Sequence, residues 1–227
     1  MEKVTLLLKK LVKGDIMNRT LIIGASGQIG KKLTSNMLND GQKVVALVRD
    51  KKKLSEFNDS NLTIVEADLI EDFEHAFEEC TQVVFVAGSG GNTGADKTML
   101  IDLWAACRAA DYAKNKGIAH FIMVSSIGAD APSDGPEEMQ PYLVAKHMAD
   151  EHLVQSGVKY TIVRPGTLTD DEATEQITTE RPSNQDDAKI TRADVAKALL
   201  YIIKNPADSN LVTELFNGDK SISQALQ

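Results

Sequence analysis

Cysteine, tryptophan, cationic charge and long apolar runs are all scarce in this sequence, and each shortage removes a class of protein. The two cysteines, Cys80 and Cys107, are too few for the disulfide framework of a small secreted domain, and neither stands in a zinc-holding Cys/His spacing. They read as small buried thiols in a reducing, cytoplasmic setting. Lys plus Arg number 25 against 33 Asp plus Glu, a formal net charge of -8, which disfavours nucleic acid as a partner. No apolar run approaches the roughly 18 residues needed to cross a bilayer, so integral membrane association is not expected. His75, His120, His147 and His152 show no ligand spacing, and no metal site is expected. What remains, 42% hydrophobic and 26% charged over 227 residues, is the composition of an ordinary globular chain of one domain.

Residues 1–16 place Leu7, Leu8, Leu11 and Val12 on one helical face among Lys3, Lys9, Lys10 and Lys13. The run is too short for a signal peptide, and no small-residue cleavage site follows. Three readings stay open: a surface or membrane-touching helix, a docking helix for a partner, or a stretch preceding a true start at Met17. The last two fit better, because the first strand begins just after Met17. The expected organisation is an N-terminal extension over 1–17 and a single domain over 18–227.

From Thr20 onward, short β-rich runs alternate with longer helical ones, which predicts a doubly wound parallel sheet in a three-layer α/β/α arrangement. Strands are expected at 20–23, 43–48, 62–66, 82–87, 120–125, 159–163 and 213–216, their continuous apolar content implying burial on both faces. Helices are expected near 28–40, 50–57, 71–79, 96–116, 139–156 and 191–204, the last with Thr191 as N-cap and Asp194 in the capping-box position. Met99, Leu103 and Trp104 read as helix core packing. The segments 128–140 and 166–190 break the alternation after strands, where an open α/β sheet binds its ligands, and are the expected site walls.

The strongest local signal is Gly24-Ala25-Ser26-Gly27-Gln28-Ile29-Gly30, which leads from a strand through a glycine turn into a helix. Gly24 permits the turn, Gly27 lets the backbone approach a pyrophosphate, and Gly30 lets helix and strand pack closely. The helix start then offers free N–H groups to the phosphates of a dinucleotide, with Ser26, Gln28 and Ile29 in the contact. The second strand ends at Val48 and is followed by Arg49, where an acidic residue would bind a ribose 2'-hydroxyl and an arginine accommodates a 2'-phosphate. Arg49, with Lys51, Lys52 and Lys53 beside it, points to NADP(H), NAD remaining possible. Asp68 and Leu69 follow the third strand toward the adenine, and Ala87 and Gly88 follow the fourth beside the middle of the cofactor.

Tyr142 and Lys146 lie four residues apart on one helical face, where an ammonium can lower the pKa of a neighbouring phenol. Lys146 can also hydrogen-bond a cofactor ribose. Ser125 and Ser126, at the end of the preceding strand, can orient a substrate carbonyl.

Taken together, these motifs resemble the short-chain dehydrogenase/reductase superfamily, and within it the atypical single-domain branch of NmrA-like proteins and flavin/biliverdin reductases. The resemblance covers nearly everything from Asn18 to Gln227, and also rests on Ala67-Asp68-Leu69, Arg164-Pro165-Gly166-Thr167-Leu168 and Arg192-Ala193-Asp194-Val195-Ala196. It implies a Rossmann sheet with NAD(P) across its carboxyl edge, Tyr142 as general acid-base and Lys146 on the ribose. It also implies Ser126, or Ser125, on the substrate, and Pro165 to Leu168, Thr167 included, flanking the nicotinamide. The expected function is an NADP(H)-dependent oxidoreductase transferring hydride to or from a small carbonyl or related acceptor. A redox sensor and an epimerase or dehydratase that retains its cofactor stand as alternatives. The acidic residues Asp170, Asp171, Glu172, Glu175 and Glu180 are expected to close over the substrate and repel strong anions. A small molecule is the expected partner, and a monomer or homodimer the expected state.

Overall fold

Leu21, Ile22 and Ile23 are all fully buried although successive strand residues point to opposite faces, so β1 (Arg19–Ile23) has an apolar layer on each side. The same holds for β2 (Lys43–Val48), β4 (Gln82–Phe85), β5 (His120–Val124) and β6 (Tyr160–Pro165). β3 (Leu62–Glu66) departs from the expectation of two-sided burial, because it forms the edge of the sheet and is only half-covered. Three short strands follow, β7 (Thr167–Thr169), β8 (Gln176–Thr178) and β9 (Lys189–Thr191), and then β10 (Leu211–Asn217) and β11 (Lys220–Ser221).

In this computed structural model, which describes residues 19–91 and 93–227, the nine-stranded sheet runs β3-β2-β1-β4-β5-β6-β10-β8-β11. Every neighbouring pair from β3 to β10 is parallel, and the last two pairs are antiparallel. The strand order reverses between β1 and β4, the switch point of a doubly wound Rossmann sheet, where a crevice opens at the carboxyl ends. The N-terminal helix reading and the 1–17 extension lie outside the described residues.

Two apolar layers sandwich the sheet. Ile22, Val44, Ala46 and Val84 meet α1 (Gln28–Asn39) and α4 (Arg192–Lys204) on one face. Leu21, Ile23, Val83 and Phe85 meet α2 (Ala106–Asn115) and α3 (Gln140–Ser156) on the other. Ala105, Ala106, Ala109, Ala110 and Ala113 are fully buried, and their small side chains let α2 lie close to the sheet. A short α5 (Ile222–Ala225) closes the described chain. Among the described residues no helix is long and apolar enough to cross a membrane.

Two expected helices are single 3-10 turns. Residues Lys51–Leu54 bury only Leu54, since three successive lysines leave no apolar stripe, and Asp50 caps the turn through the Lys52 N–H at 3.0 Å. Between 71 and 79 only Glu74–Phe77 is helical. The Ile70 and Glu71 carbonyls accept from the guanidinium of Arg108 instead of from a following turn, and Phe73 and Phe77 fold inward against Tyr112.

The helix expected at 96–116 is interrupted by a π segment, Thr98–Ala105, directly before α2. Its wider turn changes the angular step between side chains. Met99 and Trp104, expected in the core, are consequently about half exposed, at 49% and 54%, and only Leu103 packs inward. The capping box at α4 is also only half realised. Thr191 Oγ1 accepts from the Asp194 N–H at 2.9 Å, but the Asp194 carboxylate turns to the N–H groups of Thr174 and Glu175, at 3.0 and 2.8 Å, and pins that loop to the helix start.

His120 is buried in β5, bonded through Nε2 to Thr161 Oγ1 at 2.9 Å, and burial, aided by nearby Lys159, pushes its pKa down from 6.5 to about 4. The unfolded chain therefore binds the additional proton between those values, so His120 favours the fold fully above about pH 6.5 and progressively less down to about 4. The melting temperature at pH 5 should lie roughly 3–6 °C below that at pH 7.5, and a His120→Gln variant should flatten this acid-side slope. An identical slope in the variant would mean that other groups carry it.

Candidate active site

The glycine turn is built as a cradle. Gly24 has φ +93°, and a Cβ placed there would lie 2.6 Å from the Ala87 nitrogen. A Cβ on Gly30 would stand 2.3 Å from the Gly24 carbonyl oxygen, so α1 approaches the turn as closely as backbone allows. Gly27 precedes α1 without a side-chain cap, no acidic residue occupies the first turn, and Gly27 and Gln28 are exposed with Ser26 half-buried beside them. The cradle thus offers uncapped N–H groups and a positive helix end to an anion, which fits a dinucleotide pyrophosphate.

Arg49 stands at the end of β2, exposed and without a partner among the described residues. Asp68 turns its Oδ1 to the Ile70 N–H at 3.0 Å, and Leu69 beside it is half-buried. Ala87 closes over Gly24, and the following turn is held from beneath by Asp102. That residue, on the π segment, is buried, accepts from the Ser89 N–H at 2.9 Å, and keeps its other oxygen 3.0 Å from where a Gly88 Cβ would be.

Beyond these turns, a cleft of about 1180 Å³ opens at the carboxyl ends of β4, β5 and β6. Ile29, Ala87, Gly88, Ser126, Tyr142, Lys146, Pro165 and Thr167 all line it, so the expected catalytic residues share one cavity with much of the expected cofactor set. Gly24, Ser26, Gly27, Gln28, Arg49, Asp68 and Leu69 lie outside that cavity, at the ends of β1, β2 and β3. Tyr142 sits in the first turn of α3, half-buried, and its hydroxyl has no hydrogen-bond partner among the described residues. Lys146, one turn on, is 2% exposed and donates to the Val124 carbonyl at the end of β5 at 2.8 Å.

The two serines after β5 are not equivalent. Ser125 donates to the buried Asp150 carboxylate at 2.8 Å, whereas Ser126 donates only to the carbonyl of its own neighbour Ile127, at 3.1 Å, and is half-buried in the cleft. Asp150 also accepts from Arg164 of β6, which leads on to Asp130 at 4.0 Å. Arg181 then ties Asp130, at 3.3 Å, to Glu214, and so joins the two loops that wall the cleft. Asp102, Asp130, Asp150 and Arg181 were not legible as site residues. Asp130 and Arg181 fall within the expected walls 128–140 and 166–190, Asp150 stands four residues beyond Lys146 on the same helical stripe, and Asp102 had no signal.

The acidic segment does not form the anion-repelling lid expected of it. Asp170 pairs with Arg192 at 3.0 Å, Glu175 with Lys197, and Glu180 with Lys220 at 3.8 Å, and none of Asp170, Asp171, Glu172, Glu175 or Glu180 lines the cleft. Lys197 of α4 and Lys220 of β11 hold Glu175 and Glu180, and the wall facing the cleft carries Arg181, Pro182, Gln185 and Arg192, the last paired with Asp170.

Both cysteines are free, with burial pushing each thiol up to about 11, which leaves neither as a nucleophile near neutral pH. Among the described residues no group of three or more His, Cys, Asp or Glu side chains could hold a metal ion.

A family described as NAD(P)H-binding matches residues 24–206. The chain is 36% identical to an uncharacterized sugar epimerase, YhfK, of Bacillus subtilis, over 92% of this chain and 99% of that one. Among solved structures, a Bacillus halodurans protein provisionally described as an NAD-dependent epimerase/dehydratase is 43% identical, with a TM-score of 0.85, over 91% of this chain and 97% of that one. The oxidoreductase ylbE of Lactococcus lactis is 26% identical, with a TM-score of 0.81, over 92% and 94% of the two chains.

Proposed function

The chain belongs to the NAD(P)H-binding family, in the atypical short-chain dehydrogenase/reductase group, and from that premise we propose that it is an NADP(H)-dependent oxidoreductase acting on a small carbonyl or related acceptor. The observation that carries this reading is the unpartnered phenol of Tyr142 in one cleft with Ser126 and Lys146, beside the glycine cradle.

When bound, the cofactor supplies or accepts hydride at C4 of its nicotinamide. Gly24, Ser26, Gly27, Gln28 and Ile29 would hold the pyrophosphate, Asp68 and Leu69 would border the adenine, Ala87 and Gly88 would lie beside the middle of the molecule, and Pro165 and Thr167 would border the nicotinamide. In the reductive direction Tyr142 gives its phenolic proton to the substrate oxygen as negative charge develops there. The Lys146 ammonium favours the resulting phenolate. One of its three N–H groups is engaged with Val124, leaving two for the phenol and a cofactor ribose hydroxyl. Ser126 rotates from the Ile127 carbonyl to donate to the same substrate oxygen, since Ser125 is held by Asp150.

Arg49 supports NADP(H) over NAD(H): an exposed guanidinium without a competing carboxylate can take a 2'-phosphate in two hydrogen bonds. Titration by nicotinamide fluorescence should give tighter binding of NADPH than of NADH, a preference that weakens with salt. Arg49→Gln should weaken NADPH about tenfold and leave NADH unchanged, consistent with loss of a charge-assisted contact. Equal losses for both nucleotides would remove Arg49 from the 2'-phosphate site.

A second reading, an epimerase or dehydratase that retains its cofactor, is favoured by the descriptions of the Bacillus relatives. Against it stands the small extent of β7, β8 and β9, which leave little room for a nucleotide-sugar domain. A free, cleft-facing Tyr142 likewise weighs against a purely sensory role.

A further inference from the structure

Tyr142, Lys146 and Asp150 recur every four residues along α3 and so form one stripe, of which only the first opens freely to the cleft. Lys146 is buried, and its hydrogen bond goes to a carbonyl dipole, not to a charge. An ammonium taken out of water without a counter-charge reverts toward the neutral amine. A neutral amine would no longer favour the Tyr142 phenolate.

Several charges face this stripe from the packed elements. On the α2 side, Asp111 is bonded to His152 at 2.8 Å, and Cys107 is a buried neutral thiol. Asp102, on the π segment, accepts from the neutral Ser89 N–H and lines the cleft with Lys146, and Asp130, beyond β5, is shared by Arg164 and Arg181. Asp134 and Glu138 border the cleft at the Tyr142 end, and His147 bonds the Ala129 carbonyl. Arg164, from β6, adds positive charge and therefore opposes a charged Lys146.

Of these carboxylates, only Asp150 stands on α3 itself, one turn from Lys146. It is 1% exposed, and its Oδ2 gathers the Ser125 hydroxyl at 2.8 Å and two Arg164 nitrogens at 3.1 Å each. Its Oδ1 is buried without any hydrogen-bond partner. We propose that Asp150 is the counter-ion that holds Lys146 in its charged form, a positioning residue that acts on Tyr142 through Lys146. The proposal rests on the reading of this cleft as the hydride-transfer site. It acts through space, since the two side chains form no direct ion pair. Burial pushes the Asp150 carboxyl up, and the Ser125 hydrogen bond, Lys146 and Arg164 draw it back toward the ionised form.

The test uses the cofactor-free protein with its lysines labelled at Cε for NMR, the Lys146 signal being the one lost in Lys146→Met. In Asp150→Asn the Lys146 titration midpoint should fall by at least about one unit, and in Asp150→Glu it should return close to wild type. A folded Asp150→Asn protein with an unmoved Lys146 midpoint overturns the proposal. Should that variant not fold, the reciprocal measurement decides, because coupling between two sites is symmetric. The Asp150 carboxyl, followed by its own Cγ signal, should titrate at least about one unit higher in Lys146→Met than in wild type, and an unchanged midpoint overturns the proposal. Failure of the wild-type protein to bind NADPH would instead overturn the functional reading and leave the ion coupling standing.

Discussion

Tyr142→Phe is expected to cut turnover at least about a hundredfold while NADPH binding survives, a loss on the scale of general acid-base catalysis. The substitution removes one oxygen. Because that hydroxyl bonds to nothing among the described residues, its loss orphans no buried donor or acceptor and leaves the ring to pack as before. The fold should therefore be untouched, and the deficit should appear in kcat with little change in KM, as for an interaction made only in the transition state. Carbonyl compounds screened with NADPH would supply the acceptor. Full activity of the phenylalanine variant on that acceptor would refute the acid-base role and favour cofactor-only reduction of flavins or quinones.

Gly24→Ala should be at least as severe, by a different route. The residue sits at φ +93°, where an L side chain costs about 1–2 kcal/mol. The new methyl would in addition collide with the Ala87 backbone at 2.6 Å, an overlap that adds about 1–3 kcal/mol. Relief requires β1 and the turn after β4 to separate at the switch point, which opens the cradle. A loss near 3 kcal/mol in denaturant unfolding, with NADPH binding abolished, is the expected result. Gly41→Ala isolates the dihedral cost, since Gly41 has φ +72° and nothing within 4 Å of a new methyl. If the two variants lost equal stability and Gly24→Ala still bound NADPH, the close approach to Ala87 would not matter.

The parallel sheet was legible because strands buried on both sides announce themselves as unbroken apolar runs, and the glycine turn because Gly24 and Gly30 each stand where a Cβ would meet backbone. Tyr142, Lys146 and Ser126 were legible as a set through their order along the chain. Local pattern failed where a distant side chain decided the backbone. The segment at 71–79 is opened by Arg108, more than thirty residues away, which takes carbonyls that a helix would have used. The outward turn of Glu175 and Glu180 depends on Lys197 and Lys220, which are remote in sequence. Asp150 is an ordinary polar residue in the sequence and becomes a buried carboxylate only when β6 brings Arg164 against α3. Met99 and Leu103 stand four residues apart, a helical spacing, but no composition rule marks the π segment that carries them and Trp104.

That π segment bears on which changes in chain length the protein can inherit. A π turn amounts to an α-helix carrying an inserted residue, and here the insertion aims Asp102 at the Gly88–Ser89 turn. Deleting one residue between 98 and 105 would restore a regular helix and swing Asp102 about 100° around the axis, away from the turn it supports. The reading frame of the helix is thus fixed on its N-terminal side by the turn after β4 and on its C-terminal side by the alanines packed on the sheet. Past Lys116, where the chain leaves α2 for the surface, neither constraint acts on insertions and deletions.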